Sequence, residues 1–529
     1  MTLPLSQPNP DPAPQDLKAL TAENARLTDL VNSLEAANKS KDRLLDIQKE
    51  QIRLLNFKLF GPKSEKLSPD QTLLLLDEAS VSAGEVQAEV QVAEVQKENA
   101  QPKARQARPN HPGREPLPEH LERREEIIAC HPQDCVCATC GAQRPVIGYE
   151  TREELACEPA KFWVRVIQRE KRGSHCLEEQ GVATAPVPAQ IVPKSKLSDE
   201  LIIEALAQKY QQHQPVYRQC ALLSENYGIE ISRKTLTDAI LAAGSLLQAV
   251  VKAQARELLS GGYIQADETT VPCQTDEKTG HNHRAFIWEF SRPGGPVNFE
   301  FHMGRGRDGP REFLKGFKGK LQSDGYGAYA KLGEGIIYAG CLTHARRGFV
   351  DAAKAKPNDP LPKQMIALFA PLYGVEEEAR RAKMSPEERK TLRQAKSVPL
   401  MAALKARLTQ IRQQIPPGGK LAQACDYTIN QWSRLQEYLN DGNIEIDNNW
   451  CEGAIRPLTL GRKNWLHIGS EQAGPKVAAI ASIVETCRRL DINLRAYLKD
   501  ILPKLGEWPS SRVAELTPTA WKTAQNTLS

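Results

Sequence analysis

The sequence predicts a multidomain α+β protein: an N-terminal coiled coil, a small cysteine-containing β module, a helical region, and an α/β sheet domain interrupted by a helical insertion. Three observations predict it. A seven-residue period runs through residues 17–59, four of the twelve cysteines crowd into one stretch, ACHPQDCVCATCGA, and after residue 260 helical spacing gives way to strand alternation. At 529 residues the chain is too long for one ordinary core, and the length prior allows roughly three to five units.

The first element rests on two apolar rows. Leu17, Asn24, Val31, Asn38, Leu45, Ile52 and Leu59 form one; Leu20, Leu27, Leu34, Lys41, Gln48 and Leu55 form the other. They fit the a and d positions of a coiled coil, where asparagine at a favours a parallel dimer in one register. Residues 1–62 are therefore expected to be a self-associating helix, with packing inside its own chain as the alternative. Gly61 and Pro62 end it, and 63–115 reads as linker, closing on the basic stretch QPKARQARPNHPGR.

Residues 116–182 hold six of the twelve cysteines. Cys137 and Cys140 have the CxxC spacing of half a zinc ribbon, whose short loop brings two thiolates to one tetrahedral ion. The other half is expected at His175 and Cys176, beyond the strand-like KFWVRVIQRE, with Cys130, His131, Cys135 and Cys157 as substitutes. A cysteine hairpin without Zn2+ has the same spacing. The remaining cysteines, among them Cys220, Cys273, Cys425 and Cys487, sit singly in apolar segments as small core residues do.

From 183 to 258 the spacing is helical. Two short helices, a turn at Gly228 and a third helix opened by Ser232, with Arg233, Lys234 and Thr235 at its start, match a helix-turn-helix that binds DNA; plain helical packing matches equally. Strands are then expected in GYIQADETTVPC, RAFIWEFSR and VNFEFHM, a helix in PREFLKGF, strands in GKLQSDG and GIIYAGC, and a helix from HARRGF. Three meandering strands followed by alternation match a ribonuclease-H-like sheet over 259–350 and 443–490, with Asp267 expected to end the first strand and Asp324 the fourth. Residues 351–442 are charge-rich and helical throughout, an insertion; 491–529 form a C-terminal segment.

In IEIDNNWCEGAIRP, Glu452 and Arg456 share a helix face. Two aspartates at adjacent strand ends and a glutamate on a following helix are the set that holds two Mg2+ (or Mn2+) ions about 3.5–4 Å apart in phosphodiester chemistry. Net charge is only +5, but basic residues cluster in THARRGF and RPLTLGRKNW, so a polyanionic partner is expected there: Arg346, Arg347, Arg456, Arg462 and Lys463 on DNA phosphates. No run approaches the eighteen or so apolar residues of a membrane span, and the first residues lack a signal-peptide core, so a cytoplasmic protein is expected.

The chain resembles transposases of the insertion-sequence-66 family. The resemblance runs from KLFGPKSEKLSPDQ through GREPLPEHL, CxxCG, LIIEALAQKYQQHQPVYRQ, ADETTVP, LQSDGYGAY, GCLTHARRGF and DGNIEIDNNWCEGAIRPLTLGRKNWL to LPKLGEW. It implies a catalytic triad of Asp267, Asp324 and Glu452. It also implies magnesium-dependent cleavage at the ends of a mobile element, joining of 3′ ends to target DNA, and an assembly of at least two protomers, with or without companion proteins. The family's CxxH falls on Cys341 and His344, a motif of unclear role. This chain departs from the family where GSHCLEE replaces a second CxxC, where Gly453 replaces an arginine, and where Trp450 and Cys451 replace small residues. A DNA-binding regulator would leave the triad without purpose, and a stand-alone nuclease would need no long dimer helix.

Overall fold

The computed structural model describes residues 14–60, 162–167, 171–173, 182–184, 189–275 and 281–528. Contacts divide the chain into two units, one of residues 1–97 and 187–529 and one of residues 98–186. In the larger unit the first helix, α1 (Pro14–Phe60), runs nearly the whole predicted length. Leu27, Val31, Leu34, Leu45 and Ile52 of its apolar rows are exposed. Its opposite face is anchored: Glu50, a heptad f position, is 7% exposed and pairs with Lys356 at 2.7 Å, while Arg53 Nη1 donates to Ala355 O at 3.1 Å.

In the smaller unit the described structure is a two-stranded antiparallel ribbon, β1 (Lys171–Gly173) and β2 (Val182–Thr184). KFWVRVI was expected as a strand, but 162–167 has no regular secondary structure and Trp163, Val164 and Val166 are exposed; no described strand pairs with it. Cys137, Cys140, His175 and Cys176, like the linker, lie outside the described residues.

Three helices follow in the larger unit: α2 (Asp199–Tyr210), α3 (Val216–Tyr227) and α4 (Arg233–Leu259). Gly228 closes α3 in the left-handed conformation and Ser232 caps α4 through the Thr235 amide, as the turn chemistry requires. Against the expectation from composition, α4 is long and apolar enough to cross a membrane, yet half of that window is buried inside the protein. Its apolarity serves the core.

The sheet is built from β3 (Tyr263–Cys273), β4 (His283–Ser291) and β5 (Val297–His302), the short helix α5 (Asp308–Phe313), then β6 (Gly319–Gln322) and β7 (Ile336–Ala339). Its strand order is β5-β4-β3-β6-β7, antiparallel among the first three strands and parallel from β3 to β6 and β6 to β7. The mixture follows from the lengths of the connections, since the nine residues between β3 and β4 and the five between β4 and β5 allow antiparallel neighbours, whereas β6 and β7 return through longer crossovers.

Beyond β7 lie α6 (Leu342–Ala355), α7 (Pro360–Arg381), α8 (Pro386–Leu392), α9 (Val398–Gln414), α10 (Lys420–Asn430) and α11 (Trp432–Leu435). Their own core gathers Phe349, Met365, Phe369, Leu404, Leu408 and Cys425. Inside it the fully buried pair Glu376–Arg393 is joined by Arg389, which also holds Glu445 at 2.7 Å. This network fastens the helical region to the chain leading into α12 (Asn449–Trp465). The helices α13 (Gly474–Arg489), α14 (Leu494–Leu505) and α15 (Pro518–Leu528) complete the fold.

One sheet face, through Ile264, Ala266, Trp288, Phe290 and Leu321, packs on Leu314 and Tyr329; the other, through Val271, Ile287 and Phe299, packs on α4 and α13. Gly244 lets α4 and α13 approach, since a Cβ there would lie 2.9 Å from Lys476 O. The edge strand β5 is closed by hydroxyls of α13: Ser482 Oγ accepts from Phe299 N at 2.8 Å and Thr486 Oγ1 from Val297 N at 3.0 Å.

Candidate active site

The register of β3 and β6 creates the site. Their parallel pairing stops at Gln265 and Gln322, and Asp267 and Asp324 each stand two residues beyond it. Asp267 does not end its strand as expected: β3 runs on to Cys273 because β4 keeps pairing with it, placing Glu289 opposite Asp267. Beyond β6 the chain turns away. Gly325 takes φ +87°, a conformation L side chains rarely adopt, and the Asp324 carboxylate accepts from Tyr326 N at 2.8 Å. Tyr427 of α10 donates to the Asp324 carbonyl.

Glu452 lies in the first turn of α12, whose N-cap, Asn448, makes no side-chain capping bond. Neighbouring residues answer the amides of that turn that lack intrahelical partners. The Asp447 carboxylate accepts from Asn449 N at 3.1 Å, and Gln265 Oε1, reaching up from the centre of β3, accepts from Cys451 N at 3.2 Å. Gln265 Nε2 donates to Asp447 O at 2.8 Å and to Gln322 Oε1 at 2.9 Å; Gln322 Nε2 donates to Glu445 O at 2.9 Å. Tyr263 OH completes this buried cluster, donating to Gln322 Oε1. The two strands that carry the aspartates thus also hold the helix that carries the glutamate.

Around Glu452 stand residues of α6. His344 Nδ1 is 3.4 Å from Glu452 Oε1 and Arg347 Nη2 is 3.3 Å from Oε2. Cys341, buried at the start of α6, receives Asn448 N at 3.4 Å on its Sγ. Among the described residues, Cys341, His344 and Glu452 are a group whose ligand atoms lie within 4.8 Å of one another.

The electrostatics are those of crowded anions. Burial first, then the carboxylates of Glu452, Glu268 and Asp324, raise the Asp267 carboxyl well above its usual range. A divalent cation relieves such crowding, so the donor set fits hard cations with oxygen ligands. Glu289, fully buried with the Cys451 thiol donating to it, is pushed up to about 8, mainly by burial and against the pull of Arg489. Asp447 is raised to about 6, again by burial. Glu268 has a separate role: it pairs with Arg305 and accepts from Tyr329 OH at 2.7 Å, on the sheet face of Trp288 and away from α12.

The five basic residues expected on DNA divide. Arg456 and Lys463 are exposed, and at helical spacing they share the stripe of α12 that begins with Glu452. Arg462 does not face outward; its guanidinium donates to the Thr270 carbonyl and tethers α12 to β3. Arg346 is 4% exposed, and Arg347 is taken up beside Glu452.

Gln265, Gln322, Tyr263, Asp447 and Glu289 are not among the site residues expected from the sequence. A signal was present: YIQAD and KLQSD each place a glutamine two residues before the aspartate, a polar residue inside an otherwise apolar strand.

A family profile described as "Transposase IS66 family" matches residues 194–476; "Transposase C of IS166 homeodomain" matches 48–125 and "IS66 C-terminal element" matches 482–519. Similar curated proteins include three uncharacterized proteins of Sinorhizobium fredii (strain NBRC 101917 / NGR234). Protein y4qI is 30% identical over 96% of this chain and 93% of its own length, y4jD 30% over 91% and 96%, and y4hP 29% over 90% and 88%. A solved structure, the Drosophila P element transposase strand transfer complex, aligns at 11% identity over 56% of this chain and 94% of that chain, with a TM-score of 0.28. That likeness is too loose to bear on the fold.

Proposed function

The chain belongs to the IS66 transposase family, and from that premise we propose that it binds the ends of an insertion sequence, cleaves them by phosphodiester hydrolysis and joins the 3′ ends to target DNA. The sheet, with its strand order, is read as ribonuclease-H-like, with 259–350 and 443–490 as the catalytic domain and 351–442 as an insertion. Asp267, Asp324 and Glu452 are the catalytic carboxylates. The observation that carries the reading is geometric: Asp267 and Asp324 each stand two residues beyond the last pair of neighbouring parallel strands, and Gln265 of the same strand holds the first turn of α12, which carries Glu452.

When bound, magnesium or manganese ions held by these carboxylates supply activation of the attacking oxygen and stabilisation of the leaving oxygen. The chain's own residues hold the geometry. Gly325 and Tyr427 fix the turn that presents Asp324, and Gln265 and Asp447 cap α12 and so fix Glu452. Arg456 and Lys463 take the phosphate backbone along the same stripe, and Arg462 keeps α12 on the sheet. The exposed apolar rows of α1 pair with those of a second protomer. Arg233 and Lys234, exposed where α4 begins, are placed as a helix-turn-helix would need them to meet an element end. Cys137, Cys140, His175 and Cys176 remain the Zn2+ candidates of the small module.

The test is to incubate the purified protein with uncleaved and, in parallel, pre-cleaved element ends, plasmid target and Mg2+. Joined products with covalent 3′ ends are expected. Binding without cleavage would identify a regulator, and cleavage without joining a nuclease.

A further inference from the structure

Cys341 and His344 have no task in the reaction as drawn, yet their donors converge on Glu452. We propose that Cys341, His344 and Glu452 form a binding site for a thiophilic divalent cation of the Zn2+ class, and that an ion there withdraws Glu452 from the catalytic carboxylates.

The geometry is that of a site drawn slightly open. The ligand atoms lie within 4.8 Å of one another, and the His344 Nδ1 to Glu452 Oε1 separation of 3.4 Å is close to the ~3.3 Å edge of a tetrahedron whose N and O ligands stand ~2.0 Å from zinc. Those two atoms are buried and face each other without a closer hydrogen bond, and with Arg347 Nη1 3.4 Å from His344 Nε2 the ring proton lies on Nδ1, so a cation between them would take the place of that proton. Arg347 occupies only the other carboxylate oxygen.

The donors are held in place before any ion arrives. Leu342 N donates to Ile446 O at 3.2 Å, Thr343 Oγ1 donates to the Asp447 carboxylate at 3.0 Å, and Asn448 N donates to Cys341 Sγ at 3.4 Å. These bonds lock the first turn of α6 to the chain entering α12. Cys341 is fully buried while His344 and Glu452 are partly exposed, which leaves the fourth position of a tetrahedral ion on the open side. A thiolate and an imidazole select zinc-like ions over magnesium, whose preference is for oxygen alone. With Oε1 on an ion at α6 and Oε2 held by Arg347, Glu452 has no oxygen left for the aspartate pair. Zinc is therefore an inhibitor of the magnesium reaction, and this inhibition rests on the transposase reading whereas the binding does not.

The experiment is a Co2+ titration, followed by Zn2+ competition, of the full-length protein carrying serine in place of Cys130, Cys135, Cys137, Cys140, Cys157 and Cys176, which removes every thiol of the small module. A thiolate-to-cobalt absorption band should appear. Adding Cys341→Ser should abolish it, and His344→Ala, which keeps the thiol, should weaken Zn2+ binding by at least ~10–100-fold, the loss that even an outer-shell change causes. A band absent from the start, or unchanged by Cys341→Ser, overturns the site. In strand transfer, Zn2+ added to excess Mg2+ should suppress the reaction, with Cys341→Ser relieving the suppression. Binding without suppression overturns the inhibitory role. A cobalt band in a protein that transfers no strands would uphold the site and defeat the transposase reading instead.

Discussion

Replacing Gln265 with leucine tests whether the sheet positions Glu452. The side chain is fully buried with four partners at hydrogen-bond distance: the two Nε2 protons are shared among Tyr263 OH, Gln322 Oε1 and Asp447 O, and Oε1 accepts from Cys451 N. Leucine fills similar space but bonds to none of them. Tyr263 and Gln322 keep each other, so their loss is small. The Asp447 carbonyl and the Cys451 amide are left buried without partners, at ~1–3 kcal/mol each, which sums to roughly 2–6 kcal/mol. Against a typical stability of about 5–15 kcal/mol this is large but survivable. Urea unfolding should show the lower midpoint, and hydrogen exchange should show early opening of the first turn of α12. Strand transfer should fall at least tenfold under conditions where the variant is still folded, because Glu452 rides on that turn. A stability change below about 1 kcal/mol together with full activity would refute the claim that Gln265 holds the helix.

Three further outcomes follow from other contacts. Glu289 binds its proton more tightly folded than unfolded, with a folded value of about 8 against an ordinary value near 4.5. Its contribution to stability is therefore fully retained below ~4.5 and declines as pH rises towards 8, by on the order of 4 kcal/mol; Glu289→Gln should flatten that decline in chelator-treated protein, and an unchanged pH profile of unfolding would count against it. Glu50 accepts from Lys420 N at 3.1 Å and so caps α10 from α1; Glu50→Ala removes a cap worth ~1 kcal/mol and an ion pair worth at most ~1 kcal/mol, so amides near Lys420 should exchange roughly 5–30 times faster. Arg456→Ala with Lys463→Ala should weaken binding to element ends and unrelated DNA alike and lower the salt dependence by about two counterions, whereas Arg462→Ala should lower stability and leave the salt dependence unchanged.

Most strands and the long N-terminal helix were legible because their signals are local: period-two apolar runs between turn residues, and a heptad sustained from Leu17 to Leu59. The order of elements placed the three carboxylates together in expectation because a meander followed by crossovers allows few sheets. What stayed hidden is decided by partners distant in sequence. Asp267 sits mid-strand because β4 outlasts β6 in pairing with β3. Arg462 turns inward because it finds the Thr270 carbonyl, and nothing in RPLTLGRKNW distinguishes it from Lys463 beside it. The α4 helix passes for a membrane span on composition, and only its packing on α13 and β5 assigns that apolarity to a core.

The central claim is that Asp267, Asp324 and Glu452 act together, and strand transfer by their charge-removing variants in Mg2+ tests it most directly. Asp267→Asn, Asp324→Asn and Glu452→Gln keep side-chain size and should each abolish joining while element-end binding persists, because other residues make the DNA contacts. Glu268→Gln, on the opposite face of β3 beside Arg305 and Tyr329, should retain much of its activity. Full activity in any triad variant, or loss confined to Glu268→Gln, would contradict the assignment.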